Sequence, residues 1–236
     1  MRILLLPGLG ADGRLFQELR CPDGEIRTPP WIQPSSSRET LAEYAARFSK
    51  SLSELTSGEP VCVGGLSFGG LVAFEIARTL PHVRALLIAT PILHAQMTAQ
   101  FRALNTLLGV IPNFAVRAGL RSLGLGRMRR MEKTLSVTQT DTLRSMADGA
   151  DLEFFRWAAN ACATWTGGLA SIGDMNAELK SRVRILQGRH DYVIPRVADG
   201  DRSVVRELED GAHLLNFTHA KEVSRWISES LSTRAS

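Results

Sequence analysis

The stretch Val61-Cys62-Val63-Gly64-Gly65-Leu66-Ser67-Phe68-Gly69-Gly70-Leu71-Val72 decides the architecture. Residues 61–64 are apolar and partly β-branched, the composition of a strand buried on both faces. Gly70 to Leu80 reads as a helix, and Pro81 closes it. Between them stands Gly65-Leu66-Ser67-Phe68-Gly69, a G-x-S-x-G pentapeptide. So abrupt a strand-to-helix turn needs glycines where a side chain would collide with neighbouring backbone. It lifts the Ser67 hydroxyl clear of the sheet. The helix N-terminus places partial positive charge beside it. A glycine-rich structural turn with an incidental serine is the plain alternative. The strand before and the helix after favour a reactive serine.

The same rhythm extends outward. Residues 2–6 are a purely apolar run that stops at Pro7-Gly8, and residues 25–28 make a short second strand before Pro29-Pro30. Thr40 to Leu55 carries Leu41, Tyr44, Ala45, Phe48 and Leu52 at helical spacing. Arg84 to Ala89, Val183 to Gln187 and Ser203 to Leu208 supply further strands, and Thr218 to Leu231 a closing helix. Strands alternating with helices predict an α/β fold with a mostly parallel, six-stranded sheet flanked by helices. Residues 91–178 break the rhythm. They hold helix-like stretches interrupted by glycines and Pro112, with no convincing strand. The expected division is a core of 1–90 and 179–236, with a helical insertion over 91–178.

Composition narrows the classes. At 236 residues, 44% hydrophobic and 22% charged, the chain has enough apolar content for one packed domain with an insertion. No apolar run approaches a membrane span. The start is too short for a signal-peptide core. Three scattered cysteines, Cys21, Cys62 and Cys162, point to free thiols, a reducing compartment and hence the cytoplasm. The net charge of +4 is local. Arg117, Arg121, Arg127, Arg129, Arg130 and Lys133 face one acid, Glu132, which leaves 117–133 at +5 and the remainder near −1. That distribution argues against a nucleic-acid binder.

A serine hydroxyl needs a base. Of five histidines, His82 follows a helix-ending proline at the opposite edge of the sheet. His94 opens the insertion, His190 lies beside Asp191, and His219 falls at the start of the last helix. His213, in Asp210-Gly211-Ala212-His213, follows the last strand, where sites form in such sheets. The base needs an acid to fix its tautomer. Asp191, in Gln187-Gly188-Arg189-His190-Asp191, also follows a strand; Asp174, Asp199 and Asp201 lack that placement. An oxyanion needs two N–H donors. Phe68, after the nucleophile, is one. The loop Pro7-Gly8-Leu9-Gly10 offers the other, from Leu9 or else Gly10. Gly8-Leu9-Gly10-Ala11-Asp12-Gly13 also spells the dinucleotide fingerprint G-x-G-x-x-G. Pro7 at the turn, Asp12-Gly13 as poor helix formers and the absence of an acid about 20 residues on argue against that reading.

Pro-Gly-Leu-Gly, Gly-Leu-Ser-Phe-Gly-Gly, Gly-Arg-His-Asp and Gly-Ala-His together resemble the α/β-hydrolase superfamily over nearly the whole chain, in the order serine, acid, histidine. The likeness is to small, helix-capped, carboxylesterase-like members, including those that cleave methyl esters of carrier-bound acyl chains. It implies a serine hydrolase that cleaves carboxylic esters through an acyl-enzyme, with Ser67, Asp191 and His213 as triad, Leu9 and Phe68 as oxyanion hole, and no metal or organic cofactor. Three departures stand out. The family's leading hairpin is absent. Pro7-Gly8 replaces the frequent His-Gly. Only 21 residues separate Asp191 from His213, so the helix usual there is very short or missing.

The insertion is expected to cover Ser67. Met97, Phe101, Leu104, Leu107, Leu108, Phe114, Phe154, Phe155, Trp157 and Trp165 either wall an apolar substrate or hold the cap to the core. The basic run 117–133 attracts an acidic carrier protein or is a solvated helix face. Thioesterase, lactonase, acyltransferase and C–C hydrolase share this apparatus. Rivals of another class are a non-catalytic ligand-binding homologue and an interaction module recruited through the basic run.

Overall fold

The computed structural model describes residues 1–96, 99–121, 126, 134–197 and 201–232. In chain order the elements are β1 (Arg2–Leu6), β2 (Glu25–Arg27), α1 (Leu41–Lys50), α2 (Ser53–Thr56), β3 (Val61–Leu66), α3 (Phe68–Thr79) and β4 (Val83–Ile88). Then follow α4 (Ala99–Val110), α5 (Asn113–Gly119), α6 (Val137–Gly149), α7 (Leu152–Ala163), α8 (Ala177–Arg182), β5 (Val183–Gly188), β6 (Val205–Leu208), α9 (Leu215–Thr218) and α10 (Ala220–Ser232).

The six strands form one sheet in the order β2-β1-β3-β4-β5-β6, and every pair is parallel. All six residues of β3 are buried, as an apolar run between two helical layers requires. The edge strands β2 and β6 are partly exposed. Side chains alternate across the sheet with the period of two that an extended chain imposes. Leu4 and Leu6 join Tyr44, Phe48, Val63, Phe68 and Phe74 on one face. Ile3 and Leu5 join Leu15, Phe16, Cys62, Leu86 and Trp226 on the other. The strand order reverses between β1 and β3, so the carboxyl ends of those two strands frame the crevice where ligands bind in open α/β sheets. Leu6 pairs with Gly65, and Leu66 with Ile88, so the strand ends form one edge.

Some boundaries differ from expectation. The helix read over 40–55 splits, because Ser51 turns its N–H back to the Phe48 carbonyl and Leu52 is extended. A capping box between Thr40 and Glu43 starts α1. Helix α3 begins at Phe68, two residues before Gly70, so the residue after Ser67 is already helical. The last strand starts at Val205 because Asp201 holds a turn, its carbonyl accepting from the Val204 and Val205 N–H groups. His219 interrupts the closing helix between α9 and α10 rather than sitting inside it. Within 91–178, Leu93 and Leu169 pair as an isolated parallel bridge. His94 donates to Leu169 at 2.9 Å, and Leu169 to Ile92 at 2.9 Å, so the two ends of that segment are tied together.

Candidate active site

Ser67 stands between β3 and α3 with φ 54° and ψ −114°. Among the described residues only Ser67 and Ala89 combine a side chain with positive φ. Such backbone is sparsely populated and persists where its surroundings hold it. Here the holding comes from contact between the elbow and β1. A methyl group on Gly65 would lie 2.5 Å from the Leu6 carbonyl oxygen, and one on Gly69 would run into that carbonyl and that of Pro7. Ser67 N–H donates to Ile88 at 3.0 Å, and its carbonyl accepts from Leu71 at 3.1 Å as α3 begins. The elbow is thus fastened to β1, β4 and α3 at once.

The loop after β1 lies against Ser67. A Cβ built on Gly8 would come within 3.8 Å of Ser67 Cβ. Ala11 N–H closes a turn onto Gly8 at 3.2 Å, and Gly10 takes φ 72°, which glycine adopts without penalty. Leu9, between them, is half-buried and packs against the cluster that contains Phe155 and Leu108. Phe68 is the first residue of α3, where helix N–H groups have no acceptor inside the helix. Its ring is wedged among Trp31, Phe154 and Trp157 at centroid distances of 5.4, 5.9 and 6.2 Å. Gly13 opens one turn of 3-10 helix, capped by Asp12, instead of the long helix a dinucleotide site requires.

Asp191 and His213 meet. His213 Nδ1 lies 2.8 Å from Asp191 Oδ2, with the residues 3% and 8% exposed. Screening by water is therefore slight. The other carboxylate oxygen, Oδ1, accepts from Val193 N–H at 2.8 Å and Ile194 N–H at 2.9 Å. The strand ends bring the two loops together. Arg189 N–H donates to Leu208 at 3.0 Å and His190 N–H to Gly211 at 2.8 Å. Gly188 is needed there, since a Cβ would strike the carbonyls of Gly211 and Ala212. Ser67, Asp191 and His213 follow β3, β5 and β6 and so share the carboxyl edge of the sheet.

The other candidates go elsewhere. His82 Nε2 pairs with the Leu55 carbonyl at 3.0 Å, and His219 Nδ1 with Thr218 Oγ1 at 2.8 Å. His94 sits against Gly168, and His190 is exposed. Asp174 accepts from Ser171 N–H, and Asp201 pairs with Lys180; Asp199 lies outside the described residues. Burial pushes the Cys62 and Cys162 thiols up to about 12, so neither is a thiolate at neutral pH. Among the described residues no three His, Cys, Asp or Glu side chains gather as a metal site.

The apolar residues of 91–178 divide. Phe154, Phe155, Trp157 and Leu108 are buried, and Phe154 and Trp157 belong to the cluster that contains Tyr44 and Phe68. Trp157 also donates through Nε1 to the Glu39 carbonyl at 2.9 Å, and Trp165 Nε1 to Glu75 at 2.8 Å. These contacts hold the segment against α1 and α3. Leu107 and Phe114 are exposed. Met97 and the side chains of Phe101 and Leu104 lie outside the described residues. A cleft of about 1010 Å³ opens between residues 33–37, α4 and α7, with Trp157 in its wall, and Ser67, Asp191 and His213 do not line it. In the basic run, Arg117 donates to the carbonyls of Asp148 and Ala150 and Arg121 pairs with Asp148; Arg127, Arg129, Arg130, Glu132 and Lys133 lie outside the described residues. Motif reading missed the Asx turn 191–194 and the strained Ala89. The Asp-x-Val-Ile spacing carried a faint signal for the first; nothing local marked the second.

Comparisons with known proteins bear on the fold and the family. The chain has the fold of an esterase from Thermogutta terrifontis (TM-score 0.70, 17% identity, 98% of this chain and 89% of that one). It is equally similar to MenH from S. aureus (TM-score 0.70, 14% identity, 98% and 93% covered). A carboxylesterase structure from Nitrososphaera gargenis superposes with TM-score 0.66 at 15% identity, covering 98% and 89%. No curated protein matches the sequence. No described helix is long and apolar enough to cross a membrane. A family model describing the alpha/beta hydrolase family matches residues 3–226, and the chain belongs to that family.

Proposed function

We propose that this hydrolase is a serine esterase that cleaves carboxylic esters of small molecules through an acyl-enzyme. The observation that carries the reading is the buried Asp191–His213 pair on the sheet edge where Ser67 sits in a strained elbow. In this scheme Ser67 Oγ attacks the ester carbonyl while His213 removes its proton. Asp191 holds Nδ1–H of His213, which leaves Nε2 as the base and stabilises the imidazolium. The N–H groups of Leu9 and Phe68 hold the oxyanion, each contributing roughly 3 kcal/mol at the transition state. His213 then protonates the leaving alcohol and activates water to release the acid. Residues 91–178 act as a cap over the site, held by Phe154 and Trp157.

The test is hydrolysis of p-nitrophenyl esters from two to sixteen carbons, with labelling of Ser67 by a fluorophosphonate. Activity and labelling are expected in the parent and lost in Ser67→Ala. Undiminished hydrolysis in Ser67→Ala would sink the proposal.

A further inference from the structure

Between β5 and β6 the described residues contain no helix, so the loop that carries Asp191 must be held by other means. Two buried glutamines hold it. Gln187, on β5 and 6% exposed, clamps Val197 twice: Oε1 accepts its N–H at 3.0 Å, and Nε2 donates to its carbonyl at 3.2 Å. Gln96 reaches in from the other side. It lies in the first turn after β4, 3% exposed, far from the loop in sequence. Its Oε1 accepts from Leu93 N–H at 2.9 Å, and its Nε2 donates to the Pro195 carbonyl at 2.5 Å. Asp191 Oδ1 takes the N–H groups of Val193 and Ile194. Side chains therefore fix the backbone at residues 193, 194, 195 and 197.

We infer that Gln96 and Gln187 are positioning residues that aim the Asp191 carboxylate at His213. The inference rests on the triad proposed above. The lever is short. Oδ1 is anchored by the 193 and 194 amides, so any shift of 195–197 turns the carboxylate and moves Oδ2 away from Nδ1. Burial makes this costly, because a polar group that loses its partner here has no water to replace it. Gln96 also couples the beginning of the 91–178 segment to the acid loop, so a displacement of that segment is felt at the Asp–His pair.

The experiment compares the parent with Gln96→Met and Gln96→Glu on p-nitrophenyl acetate, with rates divided by the Ser67 titrated with fluorophosphonate. Methionine keeps the volume and removes both hydrogen bonds. Glutamate keeps the acceptor for Leu93 and removes the donor to Pro195. In both, kcat per titrated site is expected to fall roughly tenfold, with KM nearly unchanged. A misaimed carboxylate stabilises the imidazolium less, which lowers the His213 pKa. The acid limb of the kcat/KM profile should then move to lower pH, by roughly half a unit. A lower Tm with kcat per site and the acid limb both unmoved would overturn the positioning role, as would loss of the native fold in both variants. Failure of the parent to label at Ser67 would overturn the triad itself, an outcome visible before any glutamine variant is made.

Discussion

At the scale of single residues, the site depends on groups that no other residue type replaces. Gly69 lies so close to the Leu6 and Pro7 carbonyls that a methyl group must push the elbow off β1. Gly69→Ala should destabilise by ~3 kcal/mol, read as a drop in the urea midpoint, and should abolish fluorophosphonate labelling. Asp191→Asn is nearly isosteric, yet its amide cannot stabilise an imidazolium. It should leave Tm close to the parent's while kcat falls on the order of 10⁴-fold. Ser67, Asp191, His213, Phe68 and Leu9, the residues of the proposed site, were named in the sequence because each stands just after a strand near a glycine. The partners of Asp191 Oδ1 and the two glutamines around it were not, since glutamine in a strand or a turn carries no local pattern. Only the pairing of β5 with β6 and the path of the chain after β4 bring them to the acid.

At the scale of elements, helices α1 and α7 pack into one core on the same face of the sheet. The Thr40–Glu43 capping box fixes the start of α1, and Tyr44 and Phe48 then face Trp31, with Tyr44 also against Trp157. Thr40→Ala should cost ~1 kcal/mol in a denaturant titration, with little effect on turnover. Trp157→Phe preserves most of the ring packing but leaves the Glu39 carbonyl without its donor. It should cost ~1–2 kcal/mol by the same titration. The type of β1, β3, β4 and β5 and of α1, α3 and α10 was legible in hydrophobic period, whereas β2 was marked only by the prolines after it and the helices of 91–178 only as helix-like stretches. The breaks at Leu52 and His219 were not, because local apolar spacing continues across both and only the tertiary neighbours decide where the axis turns. The Leu93–Leu169 bridge escaped for a related reason: single residues far apart in sequence pair there, with no run to read.

Over the whole molecule, the two core layers each bury a thiol, Cys62 against one face of the sheet and Cys162 on α7 against the other. Their folded pKa of about 12 lies well above the ~8.5 of an unfolded thiol. The sign follows from proton linkage: the unfolded chain ionises first, so stability is intact below about pH 8.5 and falls as pH rises toward 12. Each thiol should contribute a slope of about 1.4 kcal/mol per pH unit in that window. Urea midpoints between pH 8 and 10.5 should fall, and less steeply in Cys62→Ala or Cys162→Ala; equal slopes would refute the assignment. The sequence alone determined the alternation of strand and helix, the serine elbow and the loops that carry Asp191 and His213, because these rest on local period and turn chemistry. The tertiary structure alone decided that Asp191 touches His213, that the Phe155 ring stands against Gly10, and that α7 shares a core with α1 and α3. Those contacts join residues distant along the chain, and only the burial of apolar faces across the twisted parallel sheet sets which of them meet.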